Sequence, residues 1–199
     1  MSSVVAICNM ALGRIGIGRA ITSLEQNSPD AISARQFYEP CRDRVLRDYP
    51  WPFATKFVAL GLLETAGTQP WAGEWGYAYT YPSDCITLRR LVSGSAVIQH
   101  GFTLVYGDAG HKILTNVEQA KAEYTAKITD PERFDSTFVS ALAWCLASEI
   151  AMPLAVQPQL RSQAMQAYQM ELSIARRTAG NEVQPPQPEP DSEFIRARQ

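Results

Sequence analysis

The chain has 199 residues, 46% of them apolar and 19% charged, with a formal net charge of −2. This length and apolar content suit one ordinary domain, or two small intimate ones, whose core needs neither disulfides nor metals. The slight acidic excess argues against a protein that grips polyanions, because nucleic-acid readers carry a basic excess or a clustered basic face.

In chain order, Val4, Cys8, Ala11, Leu12 and Ile15 recur at helical spacing, and Gly16 and Gly18 end that helix. Ile21 and Leu24, in the loop that follows, plug the core. Ser28-Pro29-Asp30 opens a second helix: a capping serine, a proline tolerated at the first position, and an aspartate that complements the dipole. Ala31, Ala34, Tyr38, Cys41 and Val45 form its apolar stripe, with Arg35, Glu39, Arg42 and Asp43 on the opposite face. Pro50 and Pro52 terminate it around Trp51.

The middle of the chain changes period. Tyr77, Tyr79 and Tyr81 alternate with small residues, and Ile86 and Leu88 continue the pattern. Turn signals at Ser93-Gly94, His100-Gly101 and Gly107-Asp108-Ala109-Gly110 separate the β-prone segments Ala96–Gln99, Phe102–Tyr106 and Lys112–Thr115. Ala120–Ile128 closes the set, with Ala122, Tyr124, Ala126 and Ile128 on one face. An antiparallel sheet or small barrel of about five or six strands follows from this pattern.

Helix returns at Thr129-Asp130-Pro131-Glu132, where Thr129 and Glu132 have capping-box spacing and Asp130 is the alternative cap. Phe134, Phe138, Ala141, Leu142, Cys145 and Ser148 share a stripe that Pro153 breaks. A last helix follows Pro158, with Leu160, Ala164, Ala167, Tyr168 and Ile174 inward and Gly180 at its end. From Asn181 the composition shifts to Gln184-Pro185-Pro186-Gln187-Pro188-Glu189-Pro190, an extended segment that packs no core. The expected fold is α+β: an antiparallel four-helix bundle with an inserted antiparallel β-sheet or small barrel and an extended C-terminal tail. The helical parts span 1–52 and 129–180, the β insertion 53–128 and the arm 181–199.

Motifs for chemistry are weak. Cys8, Cys41, Cys85 and Cys145 are far apart, form no C-x-x-C pair and read as reduced, mostly buried thiols without metal. Gly13, Gly16 and Gly18 miss dinucleotide-loop spacing, and Gly107 to Lys112 misses that of a phosphate loop; neither implies a cofactor. His100 and His111 are turn residues that could face each other across a hairpin but lack a carboxylate partner. Ser93-Gly94-Ser95 is no nucleophile elbow. Glu149, inside an apolar helix, is the most conspicuous carboxylate; a partner such as Arg35 or Arg42 is the simpler expectation than a catalytic acid. No leader is expected at the N-terminus, and Phe138–Ala155, the nearest approach to a membrane span, is interrupted by Glu149 and Pro153. Trp71, Trp75, Tyr77, Tyr79 and Tyr81 form the densest aromatic cluster. Without interleaved Lys or Arg it suits packing or a protein contact rather than base stacking. Phe194 and Ile195, flanked by Arg196 and Arg198, are the large apolar residues near the end of the arm, which makes that end a docking candidate.

Three blocks then form a pattern. The first is Ala11-Leu12-Gly13-Arg14-Ile15-Gly16, Ile21-Thr22-Ser23-Leu24, Ala31, and Arg42-Asp43-x-x-Leu46 before Pro50-Trp51-x-Phe53-Ala54. The second is Tyr79-x-Tyr81-Pro82-x-Asp84-Cys85. The third is Ile113-Leu114-Thr115-Asn116, Ala122-x-Tyr124, Asp130-Pro131-x-x-Phe134-Asp135, Phe138-Val139-x-Ala141-Leu142 and Ala147-x-Glu149-x-Ala151-x-Pro153. In this order, from about Ala6 to Ala179, they resemble the tail tubular protein A family of short-tailed bacteriophages, the head-to-tail adaptors. The resemblance implies a structural, non-enzymatic virion protein, made in the host cytoplasm and placed in the virion tail. It implies a ring, usually dodecameric, between portal protein and tail nozzle protein, through whose lumen DNA passes without specific binding. It implies no cofactor and no membrane. The alternatives are a tail-completion or joining protein of a long-tailed phage, or a small DNA-binding module. Against the last, Arg42, Arg44 and Arg47 are few and accompanied by Asp43 and Asp48.

Overall fold

A computed structural model describes residues 3–65, 67, 69, 71–93, 96–107, 110–155 and 157–182, with the side chains of 93–100 and 179–182 left out. Among these residues the order is α1 (Val4–Arg14), α2 (Pro29–Asp48), β1 (Thr55–Ala59), β2 (Leu62–Thr65), β3 (Tyr77–Thr80), β4 (Cys85–Ser93), β5 (Ala96–His100), β6 (Phe102–Gly107), β7 (Gly110–Thr115), β8 (Lys121–Ala126), α3 (Ser136–Ala155) and α4 (Pro158–Glu182).

The helix ends follow their capping chemistry. Ser3 and Ser28 accept from the Ala6 and Ala31 amides and start α1 and α2. Gly16, at φ +82°, ends α1: the Ile17 amide reaches back to the Leu12 carbonyl and that of Gly16 to Gly13, closing a Schellman turn. Ile21 is buried, and its amide and carbonyl are both held by the Asn9 side chain at 2.8 and 2.9 Å. The start of α3 departs from expectation. Asp130 caps only a 3₁₀ turn at Pro131–Arg133, and Asp135, whose Oδ1 accepts from the Phe138 amide at 2.6 Å, opens the helix. Thr129 and Glu132 form no capping box there. Pro153 does not stop α3, which continues to Ala155, and α4 passes Gly180 to end at Glu182.

The helices do not form a four-helix bundle. In a bundle each helix buries one stripe against two neighbours around a shared axis. Here α3 is buried nearly all round, with Phe138, Leu142 and Leu146 on one side and Val139, Ala143, Ala147 and Ile150 on others. α1, α2 and α4 each pack mainly on α3, and α1 and α2 meet only briefly. A helix apolar all round belongs at the centre of its neighbours, and reading α3 as a single stripe concealed this. With a mean hydropathy of 1.6, α3 is also long and apolar enough to cross a membrane, despite Glu149 and Pro153, but 61% of that window is buried by the rest of the fold. On α4 the buried positions are Ala164, Tyr168, Leu172 and Ala175, whereas Ile174 is exposed.

Among the described residues the β region comprises two four-stranded antiparallel sheets, ordered β1-β8-β4-β5 and β2-β3-β7-β6. The expected single sheet or barrel of five or six strands is therefore incorrect. β1 and β2 escaped the reading because Phe57-Val58-Ala59-Leu60 and Leu62-Leu63 do not alternate. Leu88, Leu91, Ala122 and Tyr124 from one sheet and Tyr79 and Ile113 from the other join the same buried cluster as the helices. Trp51 is the keystone between the two regions. Its indole N–H donates to the Val45 carbonyl at 2.8 Å, and its ring meets Phe138 edge-on at 5.1 Å. Arg89 of β4 donates to the Leu46 and Arg47 carbonyls, so a strand side chain caps the C-terminal end of α2.

Candidate interaction surface

The β1–β2 corner holds the densest run of exposed large apolar side chains among the described residues. The chain enters it through the 3₁₀ turn Pro52–Ala54 and crosses from one sheet to the other at Leu60-Gly61. There the Leu60 amide bonds the Ala120 carbonyl and the Gly61 carbonyl accepts from Thr80. β1 and β2 are both edge strands, so each has a row of backbone groups without a strand partner. Phe57 is 64% exposed, Leu62 53%, Leu63 45% and Val58 39%. Single exposed apolar residues mean little, but four within seven residues, on adjoining edge strands of the two sheets, are a concentration that folding leaves uncovered. Beside them a cleft of about 810 Å³ is lined by Leu60, Leu62, Tyr77, Tyr79, Gln119 and Lys121, among others.

Polar contacts brace this corner from behind. Lys56 of β1 meets Asp84 at 2.6 Å, and the Tyr124 hydroxyl donates to the same carboxylate at 2.9 Å. The Lys56 contact and the Tyr124 hydrogen bond hold the Asp84 carboxyl below its ordinary range, although partial burial opposes them. Burial and the Asp84 carboxylate push the Tyr124 phenol up to about 12. Arg90 pairs with Glu123, opposite Phe57 on the same sheet face.

Trp71 and Trp75 lie on the neighbouring turn, both half-buried, with Gly73 at φ +112° between them. Asn116 clamps that turn, accepting from the Gly76 amide and donating to the Glu74 carbonyl. The aromatic cluster is divided by role. Tyr79 is buried and donates to the Val117 carbonyl, Tyr77 lines the cleft, and Tyr81 accepts from Cys85. A second apolar edge lies on β6, where Leu104 and Tyr106 are exposed and Tyr106 stands edge-on to His111. Phe194, Ile195, Arg196 and Arg198 lie outside the described residues.

The groups singled out for chemistry are engaged elsewhere. Glu149 does pair with an arginine of α2, but with Arg44 at 3.4 Å rather than Arg35 or Arg42. Arg44 also lies 3.9 Å from Asp48, which accepts from the Tyr168 hydroxyl at 2.7 Å. Burial and this carboxylate push the Tyr168 phenol up. Arg42, expected on the outer face, is 2% exposed, because α2 is covered on that side as well. Its Nε donates to Asp43 at 2.9 Å, while Nη2, 2.8 Å from the same oxygen, is not aligned for a hydrogen bond. Arg42 and Tyr38 line a cavity of about 650 Å³, while the Tyr38 hydroxyl and Arg42 Nη2 are themselves buried without a hydrogen-bond partner among the described residues. The histidines do not face each other: His100 pairs in β5 with Leu91, and His111 lies in the other sheet. Lys112, after the β6–β7 hairpin, binds Glu64 at 2.7 Å. Cys8, Cys41 and Cys145 are buried and Cys85 is half-buried. Among the described residues no group of three His, Cys, Asp or Glu side chains is placed to hold a metal ion.

No protein-family model matches the chain, and no curated protein matches it.

Proposed function

We propose that this chain is a structural, non-enzymatic virion subunit: the head-to-tail adaptor of a short-tailed bacteriophage. In this reading copies form a ring, dodecameric in such adaptors, seated between portal protein and tail nozzle. DNA leaves through the lumen without being gripped, since each phosphate neutralised by a Lys or Arg would add salt-dependent affinity. The observation that carries the proposal is the joint order of the three sequence blocks between Ala6 and Ala179. Two features of the molecule support it. A ring subunit needs apolar surface left over after folding; β2 and β6 supply it at opposite edges of one sheet, and β1 at the edge of the other. Of the second-helix arginines that a DNA reader would present, Arg42 is buried against Asp43 and Arg44 is paired with Asp48 and Glu149.

The C-terminal arm belongs to the same proposal: Phe194 and Ile195, with Arg196 and Arg198 for acidic groups, dock on the portal. Burying the two apolar side chains gains roughly 3–6 kcal/mol, while ordering a few backbone residues costs about 1–2 kcal/mol apiece. One arm alone is weak, and a ring of arms on a ring of portal subunits gains by multivalency. Sedimentation of the chain with the portal protein of the same particle tests both statements. Comigration as a ring complex, weakened by truncation after Val183, is the expected result. A chain that never associates with portals contradicts the adaptor role, and undiminished association of the truncated chain contradicts the arm.

A further inference from the structure

The free edge of β1 has a defined hydrogen-bonding phase. The Leu60 amide bonds Ala120 on β8, so Val58 and Lys56, in the same phase, also direct their backbone groups to β8. The N–H and C=O of Phe57 and Ala59 therefore point away from the sheet. Proteins cover or blunt such an edge when its side chains are apolar, and Phe57 and Val58 are both apolar and exposed.

The tail sequence has the complementary phase. Pro186, Pro188 and Pro190 occupy every second position and have no N–H, whereas Gln187, Glu189 and Asp191 alternate with them and keep theirs. In an extended strand those donors all point to one side, and the side without donors pairs with nothing further. This is the pattern of a strand added at an edge. From Gln184 to Pro190 every residue is a proline or precedes one, which confines the segment to extended backbone and lowers the entropy lost on docking. The side chains also divide: Pro186, Pro188, Pro190 and Phe194 share one face, and Gln187, Glu189, Asp191 and Glu193 the other.

Position completes the match. Thr178, in the last turns of α4, lines a cleft with Trp51, Pro52 and Phe53, immediately before the start of β1 at Thr55. The 17 residues from Val183 to Gln199 span about 56 Å when extended, at about 3.3 Å per residue. The five residues of β1 span about 17 Å on the same scale.

We infer that the chain's own tail, residues 186–194, adds as a strand to the free edge of β1. Gln187, Glu189 and Asp191 pair with the outward backbone of Phe57 and Ala59. In antiparallel pairing the proline face lies on the side of Val58 and Leu60, and the acidic face lies beside Phe57 and meets water. The tail is thus an intramolecular cap for the assembly edge of the free subunit. This inference does not depend on what the subunit assembles into.

Hydrogen exchange by NMR on the full chain, across a dilution series, tests it. The amides of Phe57, Ala59, Gln187 and Glu189 are expected to exchange about tenfold or more slowly than unstructured amides, independently of protein concentration. Replacing the inward donors (Gln187→Pro with Glu189→Pro) removes the protection at Phe57 and Ala59, while Pro186→Ala with Pro188→Ala preserves it. Three results overturn the inference: tail amides at the unstructured rate, equal loss in both double variants, or protection that fades on dilution, which would mean a neighbouring copy's tail.

Discussion

The helical region and the β region use apolar residues in opposite ways. Around α3 they are consumed: α1, α2 and α4 cover it, Trp51 and Phe138 interlock at its start, and even Arg42 is buried. At the β1–β2 corner they are left over, with both faces of β1 open from Lys56 to Ala59. The helical region thus holds the fold together, and the β edges are available to partners. Stability and association should respond to substitution in different places.

The largest contrast lies between two aromatic residues six positions apart. Trp51→Ala removes a fully buried ring and its hydrogen bond to Val45, and should cost about 3–5 kcal/mol in urea unfolding. Phe57→Ala should change stability by no more than about 0.5 kcal/mol, while reducing association with partners. Equal losses of stability would abolish the distinction between core and surface. Asp43→Ala tests the buried charge in α2. It leaves the Arg42 guanidinium with Glu39 at 3.8 Å as its remaining paired carboxylate and should cost about 1–3 kcal/mol, read from the unfolding midpoint.

The brace behind β1 predicts a smaller, pH-dependent effect. The folded Asp84 carboxyl titrates below its ordinary value. Its contribution is therefore complete above about pH 4, the unfolded value, and is lost as pH falls through the lowered folded value. Because the pair is partly exposed, only about 0.2–1 kcal/mol is at stake. Asp84→Asn should flatten the stability–pH curve below about pH 4 and leave its shape above that unchanged. The cysteines give the finest comparison. Burial pushes the Cys8 thiol up to about 12, and a hydrogen bond that the Cys41 thiol donates to Cys145, together with burial, raises Cys41. Cys85 is raised less and is half-buried. Iodoacetamide should modify Cys85 before Cys8 or Cys41, as read by peptide mass mapping; the reverse order would mean that the helical region opens first.

Local signals in the sequence were sufficient where they act locally. Ser28 caps α2, Gly16 ends α1, and Ala122, Tyr124, Ala126 and Ile128 mark an inward face, because each depends on residues a few positions away; in Tyr77–Tyr81 the buried residues are Tyr79 and, on the opposite face, Ala78. The arrangement of the helices was not legible, since burial of α3 on all sides is a property of its neighbours. For the same reason Arg42 looked like a surface residue and Glu149 lacked its actual partner, Arg44. The corner that became the candidate surface was missed because strands open on both faces carry no alternation. Its signal was composition: Phe57, Val58, Leu60, Leu62 and Leu63, interrupted only by Ala59 and Gly61.

The central claim is a position in a particle, so imaging tests it most directly. Electron microscopy of particles carrying an antibody label on this chain should place it in a ring on the tail axis, directly beneath the portal. A peripheral location, on a fibre or spike, or no location in the particle at all, would contradict the account.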